Sequence, residues 1–182
     1  MPRIIAGSAR GRRLQVPSGR TVRPTADRAR EALFNVLAHR FDDPCPGAAA
    51  LDLFAGAGTL GLEALSRGAA RCTLVEADPQ VARILRKNAA PFGEAAQVVV
   101  SRVERFLAGP ATPHSLVLLD PPYDLGAVEP TLTALVAGGW LAGGALVCVE
   151  HRAGDRVQPP AGLIPAFARE HGAAGLAVLH FA

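Results

Sequence analysis

The sequence predicts an α/β fold: a mostly parallel seven-stranded sheet with an antiparallel C-terminal hairpin strand, preceded by an N-terminal β-hairpin and a helix. Two observations carry this. From residue 49 onward short apolar runs alternate with helical stretches, the pattern of a parallel sheet covered on both faces. Near the end the pattern changes, and two runs flank His171-Gly172-Ala173-Ala174-Gly175, a hairpin signal rather than another crossover. The 182 residues fit one domain, and 49% hydrophobic against 19% charged residues excludes a disordered chain.

The elements follow in order. Arg3 to Val16 reads as two alternating runs around Gly7-Ser8-Ala9-Arg10-Gly11, a small hairpin with arginines on its tip and outer face. Ala29, Leu33, Val36, Leu37 and Phe41 follow helical spacing behind Thr25 as N-cap, with Arg28, Arg30 and Asn35 off the stripe. Five strands are expected at Ala50 to Phe54, Cys72 to Val75, Gln97 to Val100, Ser115 to Leu119 and Ala145 to Val149. Helices fall between them at Leu60 to Arg67, Pro79 to Asn88 behind an Asp78 cap, Glu104 to Leu107 and Val128 to Val136. Ala166 to Glu170 and Leu176 to Phe181 complete the sheet.

Charge divides the chain in two. Residues 1–40 hold nine arginines against two acids, while the remaining residues carry ten cations against fourteen acids. Lys87 is the only lysine, so arginine replaces lysine throughout, but that does not explain the clustering. A basic arm on a mildly acidic body points to contact with a polyanion through Arg3, Arg10, Arg12 and Arg13. Three dispersed cysteines and five histidines show neither disulfide nor metal-ligand spacing, so no metal is expected. The N-terminal stretch lacks the apolar run of a signal peptide and no window is apolar enough to span a membrane, so a soluble cytoplasmic protein without membrane contact is expected.

Leu51 to Gly61 contains GxGxxG at a strand-to-helix turn, where glycines let backbone approach a ligand and the helix N-terminus offers free amides. Glu76, twenty residues after Gly56 and ending the next strand, suits the hydroxyls of an adenosine ribose. Both NAD and S-adenosylmethionine fit this much. Asp52 favours the second, because a carboxylate there suits a cationic amino-acid end and opposes a pyrophosphate. Phe54, Gly56, Gly58 and Thr59 of the loop, with Glu76 and Ala77, make up the expected cofactor site.

The fourth strand supplies the other half. Asp120-Pro121-Pro122-Tyr123 follows an apolar run, where open α/β sheets place ligands. This segment resembles amino-methyltransferases that act on the exocyclic nitrogen of a base. Such a nitrogen is conjugated with its ring and poorly nucleophilic; hydrogen bonds to the Asp120 carboxylate and the Pro121 carbonyl localise its lone pair. Asp120 lies next to the cofactor as well as the amine. Pro121 and Pro122 hold their carbonyls at fixed φ, and Tyr123 stacks on an extruded base. Guanine N2 and adenine N6, on RNA or DNA, satisfy this motif equally. Glu150, ending the fifth strand, is within reach of the site and reads equally as a surface carboxylate, whereas Trp140 reads as packing.

Arg3-Ile-Ile-Ala-Gly, Gly11-Arg12-Arg13-Leu14, Arg23 to Asn35, Leu51 to Gly68 and Asp120 to Tyr123 together resemble the RsmD family. The resemblance implies a Rossmann-like class I methyltransferase fold, with S-adenosylmethionine as methyl donor and S-adenosylhomocysteine as product. It implies methylation of guanine N2 in 16S rRNA, within an assembled or assembling small subunit; separately, a monomer is expected. Residues 1–24 then form an RNA-contacting arm, with Arg23 added to its arginines and Arg28 close behind, and residues 25–182 the methyltransferase domain. In this class Arg102 and Val103 lie at the adenine, although the family commonly has a small polar or acidic residue where Arg102 stands.

Overall fold

The computed structural model describes residues 1–17, 24–122 and 126–182, with the side chains of 24–27 and 171 left aside. Its elements are α1 (Pro24–Arg40), β1 (Ala49–Leu53), α2 (Thr59–Ser66), β2 (Arg71–Glu76), α3 (Pro79–Ala89) and β3 (Ala96–Val100), followed by α4 (Val103–Leu107), β4 (His114–Leu119), α5 (Val128–Ala137), β5 (Leu141–Arg152), β6 (Leu163–His171) and β7 (Ala174–Phe181). The strands form one sheet in the order β3-β2-β1-β4-β5-β7-β6. The first five are parallel, and β7 runs antiparallel between β5 and β6. This is the class I methyltransferase arrangement expected from the sequence.

The central strands are buried on both faces, which is why they read as apolar runs, broken in β1 only by the buried Asp52. Their side chains alternate between two cores. Ala50, Leu74, Leu116, Leu118, Leu146 and Cys148 pack under α1, α2 and α3. Leu51, Leu53, Val75, Val117, Leu119, Val147 and Val149 pack against α4 and α5. The period of two therefore sets which face of the sheet each residue at a strand end continues.

Several elements depart from expectation. Helix α1 begins at Pro24, one residue before the expected cap at Thr25. Its buried stripe is Arg30, Leu33, Phe34 and Leu37, rotated from the predicted one. Arg30 is buried because Nη2 donates to the Arg3 carbonyl (2.6 Å) and Nε lies 4.0 Å from Glu63. Strand β5 is longer than predicted at both ends: Leu141 pairs with His114 across a register shift between His114 and Leu116, and Glu150 to Arg152 pair with β7. A 3-10 segment, Ala90–Ala95, joins α3 to β3 and was not foreseen.

The N-terminal hairpin is minimal, with one antiparallel bridge between Arg3 and Arg13. Ile4 N–H donates to Arg12 O (3.0 Å), Gly11 N–H to Ile4 O (2.8 Å) and Leu14 N–H to Pro2 O (2.9 Å). A longer ladder does not form because the next amides turn elsewhere: Ile5 and Ala6 donate to the Glu63 carboxylate at 2.7 and 3.1 Å. Gly7 sits at φ 80° with its Cα so close to the Ser66 carbonyl that an added Cβ has no room. Ile4 and Leu14 join the core under α1 to α3, so the hairpin is moored on α2.

Candidate active site

A cavity of about 560 Å³ opens at the carboxyl ends of β1, β2 and β4, bounded by the glycine loop, Glu76, Ala77, Arg102, Val103, Glu104, Asp120, Pro122 and Glu150. Val16, Pro17 and Arg30 close it from the side of the arm and α1. Its size lies in the range of small-molecule sites.

The loop after β1 turns sharply: Phe54 has φ 66°, Gly56 φ 56° and Gly58 φ 85°. Phe54 is a non-glycine residue in the left-handed region, a conformation sustained only where surroundings impose it. Here Ala55 N–H donates to Val75 O (2.9 Å) and Gly58 N–H to Ala55 O (2.7 Å). Glu76 braces the turn, because Oε2 accepts from Gly56 N–H (2.9 Å) and Oε1 from Asp78 N–H (2.8 Å). Asp78 in turn caps α3 through Gln80 N–H (2.8 Å). From the other side Asn88 Nδ2 donates to Ala57 O and Gln15 O, each at 2.9 Å, and its Oδ1 accepts from Gln15 N–H (2.9 Å). One buried amide thus joins the end of the arm to the glycine loop.

Phe54, Gly56, Thr59, Glu76, Ala77, Arg102, Val103, Asp120 and Pro122 all line this cavity. Asp52 does not. It is 1% exposed, and its Oδ2 accepts from Gly61 N–H at 2.8 Å beneath the loop. Burial, and secondarily the charges of Asp120 and Glu76, raise its pKa to about 8 against the opposing Gly61 bond. The expectation that Asp52 faces a cationic ligand gives way to a structural one: it fixes the first turn of α2. Gly58 is also absent from the lining. An added Cβ there would lie 2.6 Å from Leu85, so this glycine serves close packing as well as the turn.

Asp120 is exposed to the cavity yet enclosed by protein on most sides; burial and the neighbouring Glu150 charge raise its pKa to about 7. Pro121 lines a second cavity of about 380 Å³, which shares Pro122 and Glu150 with the first. Arg102 is an exposed residue paired with Glu104 at 3.5 Å. Arg3, Arg10, Arg12, Arg13 and Arg28 are all exposed. Tyr123 and Arg23 lie outside the described residues. Trp140 is packing, as read: its Nε1 donates to Leu107 O (3.1 Å) and its ring lies 4.7 Å from that of Phe106.

Three residues escaped the sequence reading. Arg30 lines the cavity, Glu63 is fully buried and also accepts from Arg67 Nε (2.8 Å), and Asn88 ties arm to loop. The available signal was polarity inside apolar helical stripes, at Glu63 between Leu62 and Ala64 and at Asn88 before Ala89.

Residues 2–179 match the family model described as conserved hypothetical protein 95. The chain is 50% identical over 149 residues to ribosomal RNA small subunit methyltransferase D of Escherichia coli (strain K12), covering 81% of this chain and 73% of that protein. It is 41% identical over 154 residues to the protein of the same name from Haemophilus influenzae, covering 81% and 77%. The solved structure of the methyltransferase yhhF from Escherichia coli superposes with a TM-score of 0.86 at 43% identity, over 98% of this chain and 97% of that one.

Proposed function

The chain belongs to the conserved hypothetical protein 95 family, that of the RsmD methyltransferases, and from that premise we propose that it methylates the exocyclic N2 of a guanine in 16S rRNA. The observation that carries the reading is the placement of Asp120 and Pro122 on the same cavity as the glycine loop and Glu76. The lining also fits the cofactor: Glu76, Glu104, Asp120 and Glu150 outnumber Arg30 and Arg102, which favours a cation over a dinucleotide diphosphate. S-adenosylmethionine, bound there, supplies an electrophilic methyl group on a sulfonium.

The chain's own residues do the rest. Glu76, already oriented by Gly56 and Asp78, holds ribose hydroxyls with its remaining lone pairs. Ala77 and Val103 offer an apolar wall for the adenine. Asp120 accepts a hydrogen bond from the guanine amine and the Pro121 carbonyl a second, localising the nitrogen lone pair. The amine exchanges one proton for the methyl group, and Asp120, ionised and adjacent, takes that proton before water does. Tyr123 stacks on the extruded base. Arg3, Arg10, Arg12, Arg13, Arg23 and Arg28 meet rRNA phosphates, so that residues 1–24 serve as the RNA arm of the catalytic body. The enzyme works as a cytoplasmic monomer on the assembled or assembling subunit.

The test is transfer of tritiated methyl to small subunits that lack the modification. Asp120→Ala is expected to lower the rate by at least about 100-fold, the usual contribution of a positioned acid or base, with S-adenosylhomocysteine affinity followed by calorimetry. Transfer as fast as wild type would sink the reading. Digestion of the product to nucleosides separates N2-methylguanine from N6-methyladenine.

A further inference from the structure

Asp120 does not stand alone at the end of β4. Strands β4 and β5 are parallel neighbours with Leu119 opposite Val149, so the next residue of each stands at the same level: Asp120 just past the end of β4, and Glu150 still within β5, where it pairs with Leu176 of β7. Their backbones are then about one strand spacing apart, ~4.8 Å. They also continue the same face, because Leu116, Leu118, Leu146 and Cys148 all belong to the core under α1 to α3. Both carboxylates line the first cavity. Glu150 and Pro122 also line the second, and so form the partition between the cofactor side and the space beyond it.

A guanine entering across this partition presents its N2 amine and its N1–H side by side on one edge. Two carboxylates set side by side match that pair of donors. Adenine presents an amine beside an unprotonated N1, whose lone pair opposes a carboxylate. Resting on the guanine-N2 reading above, we infer that Glu150 accepts the N1–H of the target guanine while Asp120 holds its N2 amine, so that Glu150 is the residue that selects guanine. A site that sets a carboxylate against a particular N–H discriminates against a base that lacks it, because the carboxylate then faces the lone pair of N1 instead of a donor. This would supply the choice between guanine and adenine that the Asp-Pro-Pro-Tyr motif leaves open.

The experiment uses the full chain and small subunits reconstituted with either guanine or 2-aminopurine at the mapped target. 2-Aminopurine keeps the N2 amine but has an unprotonated N1. Wild type is expected to prefer guanine by at least about 100-fold in kcat/KM. Glu150→Gln, whose amide can donate to N1, should bring the two substrates within about tenfold of each other, and Glu150→Ala should lower the guanine rate while leaving the 2-aminopurine rate near wild type. A ratio of two substrates on one preparation does not depend on the fraction folded, so a poorly folding variant still reports. An unchanged ratio in both variants, or a wild type indifferent to the two bases, overturns the role of Glu150 and leaves the parent reading intact. A wild-type digest without N2-methylguanine overturns both.

Discussion

Asp52 and Asp120 are two carboxyls with raised pKa values and opposite uses. Asp120 must be ionised to hold the amine, and in the free enzyme its pKa lies at about 7. Expected, therefore, is a kcat/KM for the cofactor that climbs about tenfold per pH unit below pH 7 and levels above it. Glu150→Gln removes a neighbouring negative charge and should move that midpoint down. A pH-independent rate between pH 5.5 and 8 would refute the assignment. Asp52, at about 8, is held mainly protonated at neutral pH by burial. Both groups keep a proton in the folded state to higher pH than in the unfolded chain. Their contribution to stability is therefore fully present below the unfolded pKa of about 4 and is lost as pH rises toward 7 to 8. The melting temperature should fall across that window. Asp52→Asn retains an acceptor for Gly61 N–H while removing the titration, so its melting curve should fall less steeply with pH; equal slopes would speak against the buried proton.

At the scale of elements, the arm, α2 and the glycine loop are joined by two buried polar residues. Glu63 receives Ile5, Ala6 and Arg67, and Asn88 receives and donates to Gln15 and holds Ala57. Asn88→Ala leaves part-buried backbone groups without their partners, at a cost of about 1 to 3 kcal/mol in urea unfolding. It should also weaken S-adenosylhomocysteine binding, because Ala57 belongs to the cavity wall. Unchanged affinity would mean that the loop holds its shape without the amide. These ties explain what was and was not legible beforehand. Strands β1, β4 and β5 could be read because burial on both faces writes itself as an apolar run. The short ladder of the arm could not, since its amides bond a carboxylate 58 residues away. Nor could the burial of Arg30, whose partners Arg3 and Glu63 lie on other elements. Asp52 was placed at the correct strand end, but whether its carboxylate points out to a ligand or in to Gly61 depends on sheet parity and helix position together. Glu76 was legible because the carboxyl end of a parallel strand leaves it only the loop and the cavity to face.

Across the whole molecule, the division of charge read along the chain is also a division in space. Arg3, Arg10, Arg12 and Arg13 are exposed on the hairpin, while the charged residues that line the cavity are mostly acids. Among the described residues, the hairpin's own shape depends on backbone bonds, on Ile4 and Leu14 in the core and on Glu63, and on none of the Arg10, Arg12 or Arg13 guanidiniums. Replacing those three with glutamine should therefore leave the arm docked and cofactor affinity unchanged. Affinity for small-subunit rRNA should fall, and so should its dependence on salt. Every phosphate that an arginine no longer neutralises takes roughly 0.7 to 0.9 off the slope of log K against log salt, so the three substitutions together lower it by about 2 to 3. Titrations of the triple variant and wild type between 50 and 200 mM salt, about the range over which counterion release dominates such binding, measure that slope directly. Equal losses of cofactor and RNA affinity would mean that the arginines support the fold. Loss confined to RNA, with a flattened slope, would mean that one small chain separates its grip on a polyanion from the acidic cavity in which the methyl group moves.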